Sequence, residues 1–168
     1  FERDGVKAKK AWFSSGQTTV ALGADIDGRS KDGIATTIDQ CWLREKPTVW
    51  SGSSTESLDR GVFALSGADA VEHNGLRYEF PEKLPLIIKT GKVTGNWRSV
   101  WDTPNSKKED VTGETMVLVI DHGKEVRGGS YAYAVTADKA GSGARILRND
   151  GKVQATRFSS GNTGAVFW

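Results

Sequence analysis

His73 and Tyr78 stand five residues apart in V-E-H-N-G-L-R-Y-E-F, residues 71–80. Histidine is the commonest general base and tyrosine can act as a general acid, so the pair has the residue types for a proton transfer. The stretch between them argues for something else. Asn74-Gly75 is the strongest short hairpin signal, because a type I′ turn needs positive φ at both central residues. With that turn, His73 faces Leu76 and Val71 faces Tyr78. These four and Phe80 then share one face of the ribbon, while Glu72, Arg77 and Glu79 share the other. His73 and Tyr78 would sit mostly among apolar neighbours. The local sequence supplies neither an orienting partner nor a stabiliser for a developing anion. The hairpin reading outweighs the catalytic one, and no catalytic residue is assigned.

Other candidates carry less. Asp25, Asp27 and Asp32 surround a D-I-D-G-R-S-K-D-G turn that has the flavour of a calcium loop. It lacks the spacing and terminal glutamate of an EF-hand, so a structural calcium ion is the one cofactor the pattern raises and no other is implied. Asp121-His122-Gly123 reads as a turn, and two histidines without a cysteine cluster make no zinc signature. Cys41, the only cysteine, forms no intrachain disulfide and reads as a small buried hydrophobe. G-N-W-R-S-V-W (95–101) reads as a strand with Trp97 and Trp101 on one face and Arg98 on the other. Exposed indoles there would stack on sugar rings, and arginine would pair with acidic sugars. The commoner use of tryptophan is filling the space between sheets, and that is the expectation.

The elements that would position these residues are strands. T-T-V-A-L-G-A-D-I (18–26), I-A-T-T-I-D-Q-C-W-L (34–43) and S-Y-A-Y-A-V (130–135) alternate as half-buried strands do. In the last, Tyr131, Tyr133 and Val135 share one face and Ala132 and Ala134 the other. L-P-L-I-I-K (84–89) and M-V-L-V-I (116–120) are continuous apolar runs, which predict strands covered on both faces. The stretches 51–57 and 102–110 read as loops, and 137–145 as a linker. With 20 glycines in 168 residues and no long 3.6-residue stripe, the chain reads as all-β, in stacked antiparallel sheets.

Charge excludes more than it selects. The 23 basic and 21 acidic residues nearly cancel, and Lys7, Lys9 and Lys10 are too few for a nucleic-acid footprint. No run approaches a membrane span. The opening F-E-R-D-G has neither an initiator methionine nor a signal-peptide pattern, so the sequence reads as a piece of a longer protein.

Several motifs in order carry a family resemblance. K-A-K-K-A-W-F-S, V-A-L-G-A-D-I and A-T-T-I-D-Q-C are followed by V-E-H-N-G-L-R-Y-E-F-P, T-G-N-W-R-S-V-W, V-L-V-I-D-H-G and S-Y-A-Y-A-V. Together they resemble the β-sandwich region of polysaccharide lyase family 8, the hyaluronate, chondroitin and xanthan lyases. V-Q-A-T-R-F and the closing G-A-V-F-W resemble the entry into that family's smaller C-terminal β-domain. The resemblance implies an antiparallel super-sandwich, a truncated fragment of a larger α+β multidomain lyase. It implies residues 1–140 as the latter part of the central β-sandwich, and 141–168 as linker and first strands of the C-terminal β-domain. It also implies a secreted or periplasmic parent that depolymerises acidic, uronic-acid-containing polysaccharide by β-elimination, a carbon–oxygen lyase.

Such enzymes hold their catalytic Asn, His, Tyr and Arg in an N-terminal α/α toroid, upstream of every residue in this chain. None of these maps onto a position here, and His73 and Tyr78 match the family's hairpin. The chain alone is therefore expected to be inactive, with the toroid of the same protein and an acidic polysaccharide as partners and no nucleic acid or membrane. Substrate contact, where it occurs, is expected at Trp97, Arg98 and Trp101. The alternative is a stand-alone carbohydrate-binding or structural β-module.

Overall fold

The period-two alternation folds into fifteen strands and one helical turn, seen in a computed structural model that describes residues 1–138 and 140–168. The strands are β1 (Glu2–Arg3), β2 (Val6–Ser15), β3 (Thr18–Arg29), β4 (Ala35–Trp42), β5 (Thr48–Ser51), β6 (Ser54–Ser57), β7 (Gly61–Ser66), β8 (Ala70–His73), β9 (Leu76–Glu79) and β10 (Pro85–Gly95). The turn α1 (Trp97–Val100) comes next, followed by β11 (Val111–Asp121), β12 (Glu125–Thr136), β13 (Arg145–Asn149), β14 (Val153–Arg157) and β15 (Thr163–Phe167). All pairing is antiparallel, in three sheets. The eight-stranded sheet runs β1-β2-β3-β12-β9-β8-β5-β6, the four-stranded sheet β4-β11-β10-β7, and the three-stranded sheet β13-β14-β15.

The large sheet is the middle layer. On one face Tyr78, Phe80, Tyr131 and Tyr133 meet Leu86, Ile88, Met116, Leu118 and Ile120 of the four-stranded sheet. On the other, Val20, Leu22, Ala132 and Ala134 meet Ile146 of the three-stranded sheet and Phe158 just past β14. Successive side chains of β3 and β12 thus enter two different cores, as a strand sandwiched between layers requires. Polar ties reinforce the second contact: Asn149 Nδ2 donates to the Gly23 and Tyr131 carbonyls, and Lys9 Nζ to the Gly151 carbonyl.

Two expectations are reversed here. The alternating strands β3 and β12 are the ones covered on both faces. The continuous apolar runs at 84–89 and 116–120 bury Leu86, Ile88, Met116, Leu118 and Ile120, but leave Ile87, Val117 and Val119 of the opposite face only half-buried. Small residues explain the first case, because alanine and glycine on one face of β3 and β12 look like polar alternation while serving a thin second core. The loop expected at 51–57 is also corrected. Its residues form the end of β5 and all of β6, a hairpin whose side chains are exposed, so polarity there reflects a sheet edge and not a missing strand. The loop expected at 102–110 is seen. The expected linker leads from β12 to β13, with its Lys139 outside the described residues.

Glycine acts in two distinct ways, which gives a paired test. Gly75 sits at φ +75° in the hairpin with open space around it, so only backbone strain opposes a side chain. Gly23 lies opposite Tyr131, and an added Cβ would stand 2.2 Å from the tyrosine ring. We expect Gly75→Val to cost about 1–2 kcal/mol through the left-handed conformation. Gly23→Ala should cost about 1–3 kcal/mol through overpacking. Denaturant midpoints of the two variants check both, and an unchanged midpoint for either would remove its cause.

Candidate functional site

Hairpin β8–β9 is built as its turn residues dictate. Asn74 and Gly75 have φ of 53° and 75°, Val71 pairs with Tyr78, and His73 pairs with Leu76. His73 and Tyr78 are 1% and 2% exposed, pressed between the middle sheet and β4. The Tyr78 hydroxyl donates to Asp39 Oδ2 at 2.5 Å, and His73 Nδ1 lies 3.5 Å from Cys41 Sγ. These partners lie more than thirty residues upstream, beyond the reach of any local pattern. The signal that existed was the spacing of D-Q-C in β4, which puts Asp39 and Cys41 on one face.

The electrostatics of this cluster oppose catalysis. Burial, then the hydrogen bond to Asp39 and its charge, pushes the Tyr78 hydroxyl far above its ordinary range. Burial and Asp39 push the Cys41 thiol up to about 11. Burial drives the His73 imidazole below its ordinary value of 6.5, with the Glu45 and Asp39 carboxylates opposing. Tyr78, Cys41 and His73 are therefore held neutral, and His73 and Tyr78 are closed from solvent and unable to reach a polysaccharide. It is a polar strut in the core.

Across the face opposite His73, Arg77 donates to Glu72 at 2.6 Å and to Glu79 at 3.1 Å, and its guanidinium lies 5.0 Å from the Trp50 ring centroid. Glu79 also accepts from the Ser142 amide at 3.1 Å, tying the β12–β13 connection to the hairpin.

The 95–101 stretch departs from its expected form. Residues 97–100 are a helical turn, in which the Asn96 side chain accepts from the Ser99 amide at 3.0 Å and the Trp101 amide bonds the Trp97 carbonyl at 2.9 Å. Asn96 is a strong N-cap, and β10 and β11 stop pairing at Gly95 and Val111, so the segment has no partner strand to extend against. The expected burial is also overturned. Trp97 is 64% exposed and Trp101 is 72% exposed, so both indoles project from the 96–110 loop and neither fills a core. Arg98 is paired with Asp102 at 2.7 Å. Lys107 and Lys108 are exposed in the same loop, balanced by Glu109 and Asp110.

The remaining candidates are structural. Asp25 pairs with Lys9, Asp27 accepts from the Gly128 amide, and among the described residues no three His, Cys, Asp or Glu side chains gather as a metal site. Asp121 caps its own turn through the Gly123 amide, and His122 Nε2 lies 2.9 Å from Thr36 Oγ1. Among the described residues, no helix is long and apolar enough to cross a membrane.

Comparison with known proteins places this geometry in context. Residues 1–144 match the family described as polysaccharide lyase family 8, super-sandwich domain. The chain is 30% identical over 161 residues to chondroitinase-AC of Pedobacter heparinus, covering 90% of this chain and 23% of that protein. It is 25% identical over 183 residues to xanthan lyase of Bacillus sp., covering 97% of this chain and 20% of that protein. A solved chondroitinase AC lyase superposes with a TM-score of 0.86 and 27% identity over all of this chain and 26% of its own. A Paenibacillus xanthan lyase superposes with a TM-score of 0.84 at 24% identity over 97% of this chain and 18% of its own, which shows shared fold. The chain spans about a quarter or less of the length of these relatives.

The buried imidazole carries a pH consequence. Folded His73 binds fewer protons than it does in the unfolded chain, whose histidine titrates near 6.5. Its contribution is then fully present above that value and is lost as pH falls below it. We expect the native chain to lose stability between about pH 7.5 and about pH 5.5, and His73→Gln to flatten part of that slope. Thermal unfolding at the two pH values reads it. His122, whose ordinary value burial also lowers, supplies a second component. An identical slope in His73→Gln would show that the imidazole is not held neutral.

Proposed function

This chain belongs to polysaccharide lyase family 8, and from that premise we propose that it is the non-catalytic β-sandwich portion of a longer lyase that cuts uronic-acid-containing polysaccharide by β-elimination. Elimination needs a base for the proton α to the carboxylate, a group neutralising that carboxylate, and an acid for the leaving oxygen, all converging on one sugar. The observation that carries the reading is the burial of His73 and Tyr78, the hairpin pair with the right residue types. The acid–base set then belongs to an N-terminal α/α toroid of the parent, which this sandwich buttresses and whose cleft it walls. Strands β13–β15 begin the smaller C-terminal β-domain on this reading. A polymer too large to enter a cell requires its depolymerase to act outside the cytoplasm, so the parent is secreted or periplasmic.

The 96–110 loop is the part of the wall we assign to sugar. Two exposed indoles offer flat apolar faces to pyranose rings, and exposed Lys107 and Lys108 offer charge to carboxylates. Because Arg98 is already paired and the loop carries acids as well, stacking contributes more than charge. The same exposure also favours a second reading, a carbohydrate-binding module that acts without a toroid. Activity of the parent with and without its upstream region separates the two.

Incubated with hyaluronan, chondroitin or xanthan, the isolated chain is expected to release no unsaturated product by ultraviolet absorbance. Turnover by this chain alone would overturn the non-catalytic assignment. Trp97→Ala and Trp101→Ala are each expected to change stability by no more than about 0.5 kcal/mol, as exposed positions do. Each should weaken binding of acidic oligosaccharides, and added salt should weaken the wild type only modestly. Unaltered binding in both variants would take this loop out of the site.

A further inference from the structure

Of the five asparagines in the chain, Asn74 is the one followed by glycine. An asparagine carboxamide is open to attack by the backbone nitrogen of the next residue, because that closes a five-membered ring. A side chain on the next residue crowds the approach, and glycine has none. Asn74 and Gly75 are both exposed at the tip of hairpin β8–β9, and a Cβ at position 75 would meet nothing within 4 Å. The Asn74 backbone N–H donates to Glu45 Oε1 at 2.6 Å. Its carboxamide and the Gly75 N–H make no hydrogen bond among the described residues.

The other asparagines are protected. The carboxamides of Asn96, Asn149 and Asn162 are each hydrogen-bonded. Asn105 is exposed, but the Ser106 amide that would attack it is already donated to the Thr103 carbonyl at 3.0 Å. At Asn74 the closed turn itself is the remaining barrier. Asn74 sits at φ 53°, in the left-handed region, where ψ is about +30 to +60°. That rotation carries the Gly75 nitrogen away from the side-chain carbonyl carbon, so attack waits for the tip to open. Opening needs rotation at Asn74 and Gly75 only, both outside the core, and exposed tips lie at the low end of local stability.

We propose that Asn74 is a site of spontaneous modification by water, converted to aspartate and isoaspartate at a pace set by opening of the hairpin tip. The deprotonated Gly75 nitrogen bonds to Asn74 Cγ, the Cγ–Nδ2 bond breaks, and ammonia leaves. Water then opens the ring, at Cγ to give aspartate or at the main-chain carbonyl to give isoaspartate. No oxidant, metal or enzyme enters the balance. Isoaspartate routes the backbone through Cγ and lengthens a two-residue turn by one atom. The pairs Val71–Tyr78 and His73–Leu76 then lose the turn that sets their register, and with it the aim of Tyr78 and His73 at Asp39 and Cys41. Either product also places a new carboxylate beside Glu45. The modification therefore acts on the contact between the two sheets. None of this rests on the lyase reading.

The test is peptide mapping by mass spectrometry of the 168-residue chain aged at mildly alkaline pH, with isoaspartyl methyltransferase labelling to tell the products apart. We expect the peptide spanning Asn74 to gain one mass unit and methyl label with time, ahead of the peptide spanning Asn105. The urea-unfolded chain should convert faster than the native one, because opening no longer limits the attack. Asn74→Asp tolerates the left-handed turn and adds the charge without lengthening the backbone. It should keep most of the denaturant midpoint, while the isoaspartyl fraction of the aged protein unfolds at a lower one. Absence of conversion at Asn74 in the native chain would overturn the proposal, as would conversion no faster than at Asn105. Equal rates in native and unfolded chains would overturn it too, and so would an isoaspartyl fraction as stable as fresh protein.

Discussion

The fold depends on one constraint: the middle sheet must be covered on both faces while its strands stay only one side chain thick. β3 and β12 meet it by dividing their residues by size. Large rings of Tyr131 and Tyr133 point into the core shared with the four-stranded sheet, and Ala132 and Ala134 point toward the three-stranded one. The rings need somewhere to lie, and Gly23 opposite Tyr131 provides it. The same device recurs away from the centre. Trp42 lies over Gly113, and Phe13 over Gly164, each at a distance no Cβ would permit. Gly23, Gly113 and Gly164 are thus a packing requirement set by aromatic rings, while thirteen of the twenty glycines sit at positive φ.

A second consequence follows from burying so much of the hairpin. Once the turn directs His73 and Tyr78 inward, their polar atoms must find partners across the layer, and β4 supplies Asp39 and Cys41. Two sheets joined by such bonds are fixed in register as well as pressed together, because sliding one residue would strand buried polar groups. The residues that look most like chemistry thus act in alignment.

What the sequence shows depends on how local the physics is. The turn at Asn74-Gly75 and the faces of β8, β9 and β12 were readable because they follow from neighbours in the chain. The helical turn at Trp97 was not, since G-N-W-R-S-V-W has strand-like residues and only the absence of a partner strand, a property of the sheet, makes Asn96 a cap. The exposure of Trp97 and Trp101 follows from the same cause. Which strands are covered twice was misread because apolar density in β10 and β11 outweighed the small residues of β3 and β12 that form the second core.

The 96–110 loop and the outer face of hairpin β8–β9 differ in physical character, and that difference follows from how each is built. The 96–110 loop is free of the sheet, so its indoles are exposed and its charges nearly balance, a surface that tolerates an acidic polymer. The hairpin face is part of the sheet. Its cross-strand pairs require Glu72 and Glu79 to hold Arg77 in place, and those carboxylates remain as acceptors once the guanidinium is spent. The hairpin that fails as a catalytic pair on its inner face carries, on its outer face, a set of paired charges in which Glu72 and Glu79 flank Arg77.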